Sequence, residues 1–199
     1  MDLTIHNARH DKTFETINVG IKDEKIIQIT PDAIPKGDTY IDAGGAVLSP
    51  AFIEPHFHLD NAVMPEFVNV SGTLDEAIKI AEEVKDQFSA EDIMRRSRIA
   101  IRQALLNGTL WMRNNCDVDE VAGLSLFEGV RAVREEFRDV FDIQIVAFPQ
   151  FGLADNPESV DLTWKAMEQG ADIVGGVPHR EKDMDRAARQ IEIAFEIAT

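Results

Sequence analysis

The sequence predicts an α/β protein with a parallel sheet, and two observations carry that reading. From residue 51 onward, short apolar runs near residues 53, 110, 145 and 174 alternate with longer segments of helical periodicity. The first 50 residues are different, reading as short strands of alternating polarity between turn residues. Strands that alternate with helices imply βαβ units, whereas short alternating runs imply antiparallel pairing. The chain is therefore expected to divide into β-rich residues 1–50 and four strand–helix units over residues 51–199.

In the first segment, Leu3 and Ile5 alternate with polar neighbours, as do Ile17, Val19 and Ile21; residues 25–29 and 40–41 follow, and Gly37, Gly44 and Gly45 mark turns. Residues 46–53 are almost continuously apolar, as expected of a strand buried on both faces. Thr73, with Glu76 three residues later, has the form of a capping box. Leu74, Ala77, Ile78, Ala81, Val84 and Phe88 then fall on one helical stripe. Ser89 caps a second helix with the stripe Ile93, Ala100, Ile101, Ala104 and Leu105, and Asn107-Gly108 ends it. A strand is predicted over 109–113, a helix over 122–138 with Leu126, Val130, Val133 and Phe137 inward, and a strand over 141–148. Asn156-Pro157 opens a helix that turns Val160, Trp164 and Met167 to the core and stops at Gly170. A strand over 171–177 and a helix from about Asp183 to the chain end complete the pattern.

A closed (β/α)8 barrel contains eight such units over about 250 residues. Four units, with a last helix that reaches Thr199 without a stop signal, fit a barrel divided near its middle. A complete four-stranded open sheet gives the same count.

Composition narrows the function. Apolar residues make up 44% and charged residues 28% of the 199, ordinary values for a globular protein. The net charge of −16, from 20 basic and 36 acidic residues, opposes binding to nucleic acid or anionic membranes, both of which attract Lys and Arg. A small neutral or cationic substrate remains compatible. No apolar run approaches the ~20 residues of a membrane span, and the N-terminus lacks the basic and apolar regions of a signal peptide. Cys116 is the single cysteine and has no partner for an internal disulfide. A cytoplasmic protein is expected.

Chemistry concentrates at the end of the first strand of the second segment, in Glu54, Pro55, His56, Phe57, His58, Leu59 and Asp60. Side chains alternate across a strand, so His56 and His58 leave the same face. Two imidazoles so spaced can grip one metal ion, zinc or iron. At the carboxyl end of a barrel strand, that face is where active sites of such barrels lie. An isolated pair of this kind is also common as an incidental feature. Asp60 can orient a histidine or cap the following loop.

The segment from Val47 to Asp60 resembles the first barrel strand of the amidohydrolase superfamily, on its cytosine-deaminase branch. Residues 142–150 resemble the third strand of that branch, residues 170–179 the fourth, and 107–110 the second, so the resemblance covers nearly the whole chain. It implies a partial (β/α)8 barrel of the metal-dependent hydrolase type, strands 1–4, preceded by part of a small β-sandwich. It also implies a metal that activates water for attack on a ring carbon bearing an amino group, with loss of ammonia. By that resemblance His56 and His58 are metal ligands, and Gln150 matches a glutamine whose amide, both donor and acceptor, pairs with the ring edge. His179 is expected to pack or hydrogen-bond rather than coordinate. The substrate implied is a small aminated heterocycle such as cytosine.

Two departures qualify this. The family's later ligands and its proton-shuttling glutamate lie on strands five to eight, beyond Thr199, so the catalytic residues are expected outside these 199. Two imidazoles alone hold a metal weakly, since catalytic zinc sites normally keep three protein ligands. In residues 111–119, where the family usually has two histidines, this chain has Trp111 and Asn115; Asn114 and Cys116 differ as well. The rival readings are a non-catalytic truncated remnant and a small α/β binding protein. Half a barrel also leaves strand edges unpaired, so either self-association through those edges or poor stability is expected.

Overall fold

The computed structural model describes residues 1–64 and 68–199. It divides into two compact units, Met1–Pro50 and Ala51–Thr199.

The first unit is one sheet of five strands: β1 (Leu3–His10), β2 (Thr16–Lys22), β3 (Lys25–Thr30), β4 (Thr39–Asp42) and β5 (Val47–Leu48). The order is β3-β2-β1-β4, with β5 also on β1. The hairpins β1–β2 and β2–β3 are antiparallel as expected, but β4 and β5 both run parallel to β1. Ala8, Ile17 and Val19 form its buried centre, with Ile5, Ile21, Ala43 and Leu48 against them.

The second unit is a parallel sheet of β6 (Phe52–Phe57), β7 (Thr109–Asp117), β8 (Asp142–Phe148) and β9 (Ile173–Val174), in that order. Its helices are α1 (Leu74–Val84), α2 (Ala90–Leu106), α3 (Ser125–Phe137), α4 (Pro157–Glu168) and α5 (Met184–Ala198). Side-chain oxygens of Thr73, Ser89, Asn156 and Asp183 accept the backbone N–H three residues on, at 3.3, 3.2, 3.1 and 2.9 Å. These are N-caps, each satisfying a donor that the first turn leaves free. The capping box at α1 is half made: Glu76 accepts from the Ser71 N–H at 2.6 Å instead of turning back to Thr73.

Met112 and Cys116 of β7 and Ile143, Ile145 and Ala147 of β8 share one sheet face and meet Ile93, Ile101, Leu126, Phe127, Val130 and Val133 from α2 and α3. This is the main core. The opposite face carries Ile53, Pro55, Trp111, Arg113 and Gln144 around an open cavity, with the Arg113 Nε donating to Gln144 at 2.7 Å.

Three further expectations change. The apolar run 46–53 is not one strand buried on both faces. Pro50, which has no N–H to donate, separates β5 in the first sheet from β6 in the second. β6 is an edge strand paired with β7, leaving Phe52 and Ile53 60% and 67% exposed. On α4 the buried stripe is Ser159, Thr163 and Ala166, so Trp164 is turned outward. Small residues admit the helix close to its neighbours, and the larger side chains flank the contact. The last strand is also shorter than residues 171–177.

Gly129 sets the approach of α3 to α2. A Cβ there would lie 2.7 Å from the Ile93 Cβ and 2.8 Å from the Ala90 carbonyl oxygen. Alanine at a helical position ordinarily gains up to ~1 kcal/mol over glycine, but overpacking of this kind costs about 1–3 kcal/mol. Gly129→Ala is therefore expected to lower stability, read as a reduced urea midpoint with an unchanged slope.

Candidate active site

The chemistry gathers at the carboxyl ends of β6, β7 and β8. Here His56, His58, Asp117, Phe148, Gln150 and His179 line one cavity of about 430 Å³. Its other wall is apolar and comes from α1, through Leu74, Ala77, Ile78 and Ala81. The stripe predicted for α1 is real, but its exposed end, Leu74, faces this cavity rather than a core.

The structure brings His56 and His58 together: their ring centroids are 5.3 Å apart, with planes at 67°. His58 also meets the Phe148 ring edge-on at 5.7 Å. Burial pushes the His58 pKa below its ordinary value, with Asp117 opposing and His56 assisting. That favours the neutral imidazole a metal requires. The His56 Nδ1 lies 3.3 Å from the Asn115 amide. A neutral histidine that lends its Nε2 lone pair carries its proton on Nδ1 and needs an acceptor there. An asparagine amide turned by half a revolution provides one. Gln150 follows β8 on the same rim, and His179 sits in a short 3-10 turn, Pro178–Arg180, after β9.

The loop after β6 is held by buried polar groups. The Asn114 Oδ1 accepts the Leu59 N–H at 2.6 Å, and the Asp60 Oδ2 accepts the Asp117 N–H at 3.0 Å. The Arg96 guanidinium, buried beneath the loop, donates to the carbonyls of Asp60 and Ala62, pairs with Asp92 at 2.7 Å and stacks on Phe88. Such clamping lets a β-branched residue, Val63, hold φ at +53°, a conformation that needs outside support. Glycine is required on the far side of the rim at Gly152, where φ is +87° and a Cβ would fall 2.5 Å from the Glu181 carboxylate. That carboxylate accepts the N–H groups of Leu153 and Ala154, each at 3.1 Å.

Sequence reasoning singled out Asp60 but missed the other charges below the cavity. Asp60, Asp117 and Asp119 are all buried, and so is Lys85. The Lys85 ammonium reaches Asp117 at 3.3 Å, bonds Asp119 and lies 4.2 Å from the centre of the Phe151 ring. Burial raises the Asp60 carboxyl, which accepted hydrogen bonds partly offset. Burial and then the Asp60 charge raise Asp117, with Lys85 opposing. One ring nitrogen of His58 and one carboxylate oxygen each of Asp60 and Asp117 lie within 4.8 Å of one another. The signal available was the alternation Asp117-Val118-Asp119, which puts both carboxylates on one side of an extended chain. Lys85 gave none, because it follows Glu82 and Glu83 in what reads as a solvated helix end.

Four parallel βα units that collect imidazole, carboxylate and amide groups at the strand ends define the class as a parallel α/β protein with a polar site at the carboxyl ends of its strands. Comparison with known proteins makes this specific. No family model matches the chain. It is 32% identical over 203 residues to N-isopropylammelide isopropyl amidohydrolase of Pseudomonas sp. (strain ADP), covering 99% of this chain and 50% of that protein. Among solved structures, the 5-methylcytosine deaminase of Klebsiella pneumoniae, liganded with 5-fluorocytosine, superposes with a TM-score of 0.88 at 33% identity, covering 98% of this chain and 48% of that one. N-isopropylammelide isopropylaminohydrolase of Burkholderia multivorans ATCC 17616 gives 0.82 at 31%, covering 98% and 50%. The chain corresponds to the N-terminal half of an amidohydrolase-superfamily protein of the cytosine-deaminase-like branch. It spans about half the length of the relatives it matches. No helix among the described residues is long and apolar enough to cross a membrane.

Removing one partner of a buried ion pair leaves a charge without compensation, at a cost of about 3–5 kcal/mol. Lys85→Met is expected to destabilise the chain by that amount in urea unfolding. Lys85→Met combined with Asp119→Leu, which removes both charges, is expected to recover a large part of the loss.

Proposed function

We propose that residues 51–199 are the first half of a (β/α)8 barrel in a metal-dependent amidohydrolase that cleaves a C–N bond of an aminated heterocycle, with residues 1–50 contributing to a small β-sandwich. The observation that carries this is the common cavity lined by His56, His58 and Gln150, in a chain whose relatives are named an N-isopropylammelide isopropyl amidohydrolase and a 5-methylcytosine deaminase.

In this reading His56 and His58 are ligands of a divalent zinc or iron ion, whose chemistry is to activate water near neutral pH. The buried, neutral His58 and the Asn115 amide at His56 Nδ1 suit both rings to that task. The Gln150 amide pairs with the polar edge of the ring, and the wall formed by α1 excludes water from its apolar edge. Two imidazoles alone hold a metal weakly, so the isolated 199-residue chain does not turn over. Copies of the chain associate through the edges of β6 and β9, and the protein is cytoplasmic, with no affinity for nucleic acid or membranes.

The test is ammonia release. The purified chain with added zinc or iron is expected to give none from cytosine or 5-methylcytosine. Supplying the C-terminal half of the Klebsiella pneumoniae deaminase as a second polypeptide is expected to restore it, and the His56→Ala, His58→Ala double variant to remove it again. Turnover by the chain alone would overturn its inactivity, and a folded but inert complex would overturn the deaminase reading.

A further inference from the structure

We propose that the ion pair between Arg180 and Glu82 is a latch on the cavity, holding α1 as a hinged wall that swings open about Val84 and Lys85 when the pair parts. The proposal concerns access to the cavity and stands whether or not the cavity is an amidohydrolase site.

The two ends of α1 are held differently. Its carboxyl end is anchored: Val84 is buried, and the adjoining Lys85 ammonium is buried against Asp117 and Asp119. Its amino end is bonded to its own approach. Asn69 donates to the Thr73 carbonyl at 2.8 Å, and the Ser71 hydroxyl bonds Thr73 and Glu76. These bonds order the turn without tying it to the sheet. Val84 is the one buried residue of α1, whereas Leu74, Ala77, Ile78 and Ala81 face the open cavity. A helix with so little buried apolar contact opens more readily than the core elements do.

One bond crosses to the far rim. The Arg180 Nη1 donates to the Glu82 Oε1 at 2.7 Å, across 98 positions of sequence, and both residues line the cavity. Among the described residues, no other side-chain hydrogen bond or ion pair joins residues 69–84 to another element. Arg180 stands on a fixed base. The Val177 N–H before its turn donates to the buried Gln190 Oε1 at 2.5 Å, and the Glu181 carboxylate after it accepts from Leu153, Ala154 and Gln190. Glu82 is thus a point on the movable wall tied to a point on the rigid rim. Leu74 lies eight residues beyond Glu82, about 12 Å along a helix that rises 1.5 Å per residue, so a small rotation near the pivot becomes a larger displacement at the mouth. The pair is itself partly exposed, at 32% and 26%, and such pairs part at little cost. A wall held in this way gates a cavity.

Hydrogen exchange of the 199-residue chain measures the opening. In Arg180→Gln the amides of α1 are expected to exchange about two- to fivefold faster, the range open to a partly exposed ion pair, while those of β7 and β8 keep their rates. Glu82→Gln is expected to match it, since it removes the same bond. Arg180→Glu, which sets two carboxylates face to face, is expected to exceed both, and Arg180→Glu combined with Glu82→Arg to bring the rates back towards those of the unaltered chain. A neutral nitroxide in solution is the probe of access. It is expected to broaden the ring signals of His58 and the methyl signals of Ile78 and Ala81 more in Arg180→Gln than in the unaltered chain, and those of Ile145 equally in both. Unchanged α1 exchange in Arg180→Gln and Glu82→Gln, faster exchange without greater nitroxide access, or a charge swap that exchanges as fast as Arg180→Glu would each overturn the latch.

Discussion

Buried negative charge at the ends of β6 and β7 is the constraint to which much of the second unit answers. Three carboxylates in a water-poor environment repel one another and are poorly solvated. The chain meets this with an ammonium brought in from the end of α1, with backbone N–H groups donated to Asp60 and Asp119, and with a guanidinium holding the adjacent loop from below. Lys85 thereby ties α1 to the β7 end and, over the Phe151 ring, to the segment that carries Gln150. A charged group this deep contributes little net stability when paired but makes the arrangement costly to disrupt.

The architecture was legible because it depends on periodicity and punctuation. The four N-caps, the glycine-terminated end of α2 and the core stripes of α2 and α3 are local signals, and local signals survive in a single sequence. The parallel pairing of β4 and β5 with β1 was not legible, because partner choice within a sheet depends on the path of the connections. The outward turn of Trp164 escaped for a related reason. Hydrophobicity marks which helix face is apolar, but the contact is decided by which residues are small enough to let two elements approach.

The site was legible in part. His56, His58 and Gln150 stood out through their spacing and a resemblance, and they line one cavity. Lys85, Arg96 and Asn114 did not stand out. Each lies in a segment whose local pattern is that of an ordinary helix or strand, and each acts on a residue more than thirty positions away in sequence. Buried long-range polar contacts have no periodic signature. They become visible only when the fold places the partners side by side.

The cavity is assembled from two kinds of wall. Its polar groups stand on strand ends clamped by buried bonds, whereas its apolar side is the exposed stripe of a single helix, α1. Replacing Leu74 or Ile78 reshapes the opening without moving an imidazole or a carboxylate. Such a division lets the shape of the opening change in small steps while its polar groups stay fixed. Variation of that opening can therefore proceed along one helix.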